Sequence, residues 1–244
     1  MEESMRKRRT GFWGFLVLVG VVVVGSKWNQ PPSELSEVVH EVIQMFTDKS
    51  AQEVPVGNGS SQIETINHNQ PSFSSDDLSL EKGTWQTFSD LDPFNRVGEA
   101  NALLHRDMMP TEERERLFIK PTGWKQKKMS NGDYLYNRCH LIGFQLTGEN
   151  NNPKNLMTGT RSFNTPAMVD IENKVAEYLR KTGNHVRYRV TLDFQGEELV
   201  ARGIQIEAQS IEDTAISLNV YIHNRQEGYT IDYLTGLSRV NERE

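Results

Sequence analysis

Three stretches near the C-terminus alternate apolar and polar residues with a period of two, and nothing else in the chain restricts its fold as strongly. Val186, Tyr188, Val190 and Leu192 alternate with Arg187, Arg189 and Thr191; Ile204 and Ile206 with Gln205 and Glu207; Ile216, Leu218, Val220 and Ile222 with Ser217, Asn219, Tyr221 and His223. Successive side chains of a strand point to opposite faces, so the pattern predicts three strands with one face on a core and the other in water. Half-buried strands of this kind form an antiparallel sheet, and Gly196 marks the first turn. Ahead of them Met168, Ile171, Val175, Tyr178 and Leu179 recur at helical spacing, with Thr165 and Pro166 to start the helix and Lys181 and Gly183 to end it. The class is therefore α+β, an antiparallel sheet with packed helices. Two more helices are expected, at Asn101–His105 and Thr111–Phe118, the second because Thr111 can cap a first turn holding Glu112 and Glu113. The chain has no internal repeat, P-loop or dinucleotide fingerprint.

The other end of the chain is organised differently. Arg6, Lys7, Arg8 and Arg9 precede an apolar run from Gly11 to Gly25, the order of an export signal. Residues 1–28 read as a signal anchor, or as a signal peptide cut near Val23 to Gly25, with everything after Trp28 outside the cell. Residues 29–80 carry eight acidic side chains against Lys49 alone and are rich in Ser, Asn, Gln and Pro, so they read as an acidic, disordered linker. The folded domain is expected over 81–244. The net charge of the whole chain is −6, which argues against a generic polyanion binder. Most of that charge lies in the linker, however, and the domain is left close to neutral, with room for a basic groove. The single cysteine, Cys139, allows no intrachain disulfide and is expected to be buried.

Polar, chemistry-bearing residues concentrate between Asn137 and Asn164, in NRCHLIGFQLTGENNNPKNLMTGTRSFN. His140 is a candidate general base, because imidazole titrates close to neutral pH. Arg138 lies two positions away, on the same side of an extended segment, where a guanidinium can hold a phosphate. Asn155 and Asn164 offer the neutral oxygen donors that Mg²⁺ accepts while keeping several waters, whereas Asn150, Asn151 and Asn152 read simply as turn formers. Glu172 follows two helical turns after Asn164. Lys120, Lys125, Lys127 and Lys128 surround the Pro121-Thr122-Gly123-Trp124 turn and make either a solvated face or a seat for a phosphate backbone.

Asn137-Arg138-Cys139-His140 resembles the Asp-Arg-Gly-His motif of the DNA/RNA non-specific endonucleases, the ββα-metal nucleases. Leu141-Ile142-Gly143, Asn152-Pro153-Lys154-Asn155, Asn164, Glu172, Val186 to Val190, the Pro121 to Trp124 turn and Asp232-Tyr233-Leu234-Thr235-Gly236 extend the likeness over nearly all of Lys82 to Gly236. The similarity is to the branch of the membrane-anchored competence nuclease and the secreted streptodornases. It implies a ββα-metal motif in which His140 activates water, Asn164 ligates one Mg²⁺ (Mn²⁺ as a substitute) and Glu172 holds metal-bound water. It further implies that Asn155 positions His140 or the phosphate, and that Arg138 supports the phosphate or the site. Lys125, Lys127, Lys128 and Arg161 are the substrate-binding candidates. The implied reaction is sequence-independent hydrolysis of DNA, and of RNA as a further substrate, outside the cell, leaving 5′-phosphorylated ends. Two positions depart from the pattern: Asn137 stands for aspartate and Cys139 for glycine. A surface protein that binds nucleic acid without cutting it is the alternative these departures raise.

Overall fold

The computed structural model describes residues 61–241, so the expected export segment and most of the expected linker lie outside the described residues. In chain order the strands are β1 (Ile63–Thr65), β2 (Trp85–Phe88), β3 (Ala100–Leu104) and β4 (Tyr136–His140), followed by a one-turn helix α1 (Phe144–Thr147) and β5 (Leu156–Thr160). Helix α2 (Val169–Thr182) leads into β6 (Val186–Asp193), β7 (Gly203–Ser210), β8 (Ser217–His223) and a hairpin of β9 (Tyr229–Ile231) with β10 (Ser238–Val240). Among the described residues no helix is long and apolar enough to cross a membrane.

The alternating segments become β6, β7 and β8, paired antiparallel as their pattern requires, with Val190 opposite Ile206 and Ile206 opposite Val220. They form the middle of a six-stranded sheet in the order β1-β8-β7-β6-β3-β2. Its inner face, including Tyr188, Val190, Ile204, Ile206, Val220 and Ile222, shares one core with Ile171, Val175 and Leu179 of α2. Each such aliphatic side chain contributes roughly 1.5–3 kcal/mol by leaving water. Gly183 ends α2 in the left-handed conformation (φ 67) and sends its amide back to the Leu179 carbonyl, which is the stop expected from the sequence.

Three expectations are corrected. Asn101–His105 is not a helix: Ala100–Leu104 is strand β3, hydrogen-bonded between β2 and β6. Four of its five residues are buried, and a short strand covered on both faces loses the alternation that would distinguish it from a helix. Thr111–Phe118 is irregular and largely exposed; a capping residue without an apolar face to pack does not sustain a short helix. Thr165 does not cap α2. It is extended (φ −136, ψ 117) inside a widened turn over Phe163–Met168, because a proline clashes with a helical residue before it.

The outer face of the sheet is not left to water. Residues 70–77, read from sequence as linker, lie across it, and Arg187, Glu207 and Asn219 beneath them are buried. The Ser72 amide and hydroxyl donate to Glu207 at 2.7 and 2.8 Å, while Asn219 donates to the Gln70 carbonyl at 2.7 Å. The Arg187 guanidinium lies 4.9 Å from the rings of both Phe73 and Trp85. Strand β1 completes this edge by pairing with β8.

Candidate active site

A separate two-stranded ladder, β4 with β5, stands before α2, and its register sets His140 opposite Leu156. His140 is therefore the last residue of one strand, next to the residue that precedes the other. That residue, Asn155, is fully buried. Its Oδ1 accepts the amides of Leu141 and Ile142 at 3.2 and 2.9 Å, and its Nδ2 donates to the Ile142 carbonyl at 3.0 Å. The side chain is thus consumed in fixing the backbone that leaves His140. It clamps the turn beside the histidine and, being fully buried, is closed off from a phosphate.

His140 is itself only 6% exposed, and its Nε2 lies 2.8 Å from the Asn150 carbonyl oxygen. A carbonyl can only accept, so Nε2 carries the proton and Nδ1 is left with a lone pair. Burial pulls the histidine pKa down to about 4; the Asn150 bond opposes the shift and the positive charge of Arg114 adds to it. The ring is neutral at physiological pH and can accept a proton through a defined atom.

Glu172, on the first turn of α2, is 7% exposed. Its carboxylate lies against Gly143, where an added Cβ would come within 2.4 Å of Oε2, so only glycine admits the acid here. Burial raises its pKa to about 8, against the opposing effects of a Gln145 hydrogen bond and the Arg114 charge. A buried acid shifted in this way gains from a nearby cation. Asn164 sits half-exposed in the widened turn before α2. Its Nδ2 donates to the Thr165 hydroxyl at 3.0 Å, which leaves Oδ1 as an acceptor. Among the described residues no three His, Cys, Asp or Glu side chains gather as a metal cage. What the chain offers is the open amide oxygen of Asn164 before α2 and the buried carboxyl of Glu172 in its first turn, and oxygen donors of this kind suit a hard, largely hydrated divalent ion.

The remaining candidates divide into engaged and open residues. Arg138 donates Nε to the Ile119 carbonyl and stacks 4.5 Å from the Trp124 ring, so it ties the 119–124 segment to β4. Lys127 reaches Tyr229 and the Ser238 carbonyl of the β9–β10 hairpin. Lys125 and Lys128 are exposed, and Arg161 is exposed beside Asp133 at 3.1 Å. Cys139 is buried as expected. Its Sγ occupies the space over Gly159, where an added Cβ would lie 2.5 Å away. The side chain that replaces the motif's glycine is accommodated by a glycine on the partner strand.

Two features have no clear signal in the sequence. One is Arg114, in the segment expected to be helical, whose charge acts on His140, Glu172 and Cys139 together. The other is the asparagine run: Asn150 supplies the carbonyl to His140, Asn151 binds the 116–118 backbone, and Asn152 alone acts as a local cap, on the Lys154 amide.

A family model described as DNA/RNA non-specific endonuclease matches residues 78–212. A deoxyribonuclease from Streptococcus dysgalactiae subsp. equisimilis is 32% identical over 120 residues, which are 47% of this chain and 36% of that protein. The chain thus spans about a third of the length of that curated relative. NucA from Streptococcus agalactiae, solved with a magnesium ion bound, superposes with a TM-score of 0.67 at 26% identity over 81% of this chain and 96% of NucA. The Sda1 nuclease, solved with a bound zinc ion, gives 0.54 at 28% identity, over 62% of this chain and 80% of Sda1. The β4–β5 ladder followed by α2, beside an antiparallel sheet, agrees with the fold of these neighbours.

Proposed function

The chain belongs to the DNA/RNA non-specific endonuclease family, and from that premise we propose that it is a divalent-metal-dependent endonuclease that hydrolyses DNA phosphodiesters without reading base sequence. The observation that carries the reading is the Nε2 contact from His140 to the Asn150 carbonyl. It leaves Nδ1 unprotonated in a ring that burial keeps neutral at physiological pH, so the atom that would take the proton has its lone pair free.

In this reading His140 Nδ1 takes a proton from a water molecule as its oxygen attacks phosphorus. The P–O3′ bond breaks on the far side; the 3′ oxygen leaves with the bonding pair and takes a proton from solvent water, giving a 5′-phosphate and a 3′-hydroxyl. Arg114 meets the phosphate from the side of His140 and Glu172, while Arg138 holds the flanking segment in place. Asn155 keeps the histidine backbone from drifting during proton transfer. Asn164 would hold Mg²⁺ (or Mn²⁺) through Oδ1, and Glu172 would accept hydrogen bonds from its hydration shell. Bound there, the ion supplies charge neutralisation to the phosphoryl and leaving oxygens.

None of these contacts needs a base edge, so any sequence is cut; RNA is proposed as a second substrate on the description of the family. Lys125, Lys128 and Arg161 remain exposed for the strand on either side. The basic and apolar N-terminal order supports a site of action outside the cell, at the membrane or after release. Incubation of the purified protein with plasmid DNA tests the reading: relaxation and linearisation in Mg²⁺, and none in EDTA, are expected. Intact plasmid under both conditions would refute it.

A further inference from the structure

The segment from 110 to 118 carries Arg114 to the site, yet little holds it there. It forms no helix or strand, and residues 111–116 are exposed. It borders an open pocket of about 410 Å³ lined by Pro110, Thr111, Glu112, Glu113, Phe144 and Asn150. Its backbone hydrogen bonds among the described residues reduce to two, both made by one side chain. Asn151 Oδ1 accepts the Phe118 amide at 3.1 Å, and Asn151 Nδ2 donates to the Arg116 carbonyl at 3.1 Å.

The geometry of that pair is specific. A donor and an acceptor two residues apart, flanking Leu117, are the groups that a neighbouring parallel strand would use. The Asn151 side-chain amide supplies both partner groups and ties the backbone of the segment on either side of Leu117. The residue before it, Asn150, gives its carbonyl to His140 Nε2 at 2.8 Å. One loop therefore fixes the ring of the base with one residue and the segment bearing Arg114 with the next.

We propose that Asn151 is a positioning residue for phosphodiester cleavage, which ties the Arg114 segment to the loop that orients His140 so that guanidinium and imidazole address one phosphate. The proposal rests on the nuclease reading above. Asn151 itself touches neither substrate nor metal; it acts through Arg114. A misplacement of the order of 1 Å at such a group costs up to about 100-fold in rate.

The test uses the full chain and two readouts. Asn151→Ala is expected to lower kcat/KM on plasmid DNA by about 10- to 100-fold with no change in the melting temperature. In an Arg114→Ala background the same change is expected to cost less than about threefold, since the two residues act as one unit. Asn151→Asp, which keeps the acceptor for Phe118 and loses the donor to Arg116, falls between wild type and alanine. Independently of activity, limited trypsin digestion is expected to cut after Arg114 or Arg116 about tenfold faster in Asn151→Ala, because the tether governs local opening. A kinetic penalty of equal size in both backgrounds overturns the proposal, and so do unchanged trypsin rates. Should the wild-type protein cut no nucleic acid, the nuclease reading fails and the trypsin rates alone decide whether Asn151 tethers the segment.

Discussion

The two halves of the candidate site are built on opposite principles. Around His140 the groups that set the ring and its backbone are already engaged: the ring bonds the Asn150 carbonyl, Asn155 clamps the next two residues, and Arg138 is bound to Ile119 and stacked on Trp124. Around Asn164 the side chain is half-exposed, with one neighbouring hydrogen bond and a free acceptor oxygen. The contrast follows from what each half does. A base must present one atom in one protonation state before substrate arrives, so the protein commits buried hydrogen bonds to fixing it. A lone amide ligand for a hydrated ion needs an open oxygen and room for water.

Substitutions on the two sides should therefore fail differently. His140→Ala is expected to have the largest effect, lowering the cleavage rate by about 10²- to 10⁴-fold. DNA affinity in a gel-shift assay should stay within a few-fold, because the imidazole binds a proton more than it binds substrate; a large loss of affinity would break the division of labour. Asn155→Ala should lower activity and stability together. It takes the acceptor from the buried Ile142 amide and the donor from the Ile142 carbonyl, at about 1–3 kcal/mol each, while the Leu141 amide keeps the backbone carbonyl of residue 155; a urea midpoint will show the loss. Asn164→Ala should leave that midpoint unchanged while raising the Mg²⁺ needed for half-maximal activity by more than about 100-fold, beyond the roughly 10- to 100-fold that loss of an outer-shell partner costs. If it unfolds the protein instead, the open half is not open. The smallest effects belong to Lys125→Ala and Arg161→Ala. Each should weaken DNA binding a few-fold at low salt and reduce the slope of log affinity against log salt by about one for every phosphate that is no longer neutralised.

Much of the fold and the site was legible in the sequence, and the exceptions share a cause. Strands β6 to β8 and the end of α2 carry periodic patterns and a glycine stop, which local chemistry fixes. His140, Asn155, Asn164 and Glu172 follow from the ordered motif. Strand β3 did not, because Ala-Asn-Ala-Leu-Leu, buried among its neighbours, has no period to read. Residues 70–77 look disordered in composition, yet Ser72 and Phe73 meet partners on Glu207, Arg187 and Arg189 more than a hundred positions away. Arg114 and Asn151 were missed for the same reason. An arginine in an acidic run and an asparagine in a turn acquire meaning only from the backbone that the fold brings beside them.

The central claim is that the protein fixes His140 as a neutral base with its proton on Nε2. Nitrogen-15 chemical shifts of the histidine ring, followed through a pH titration of the metal-free protein, test it most directly. Because burial depresses this pKa, the neutral form and the stability it contributes are present above the unfolded value near 6.5 and are lost as pH falls toward about 4. The account predicts protonated Nε2 and bare Nδ1 at neutral pH, with a midpoint near 4. A proton on Nδ1, or a midpoint near 6.5, would contradict it.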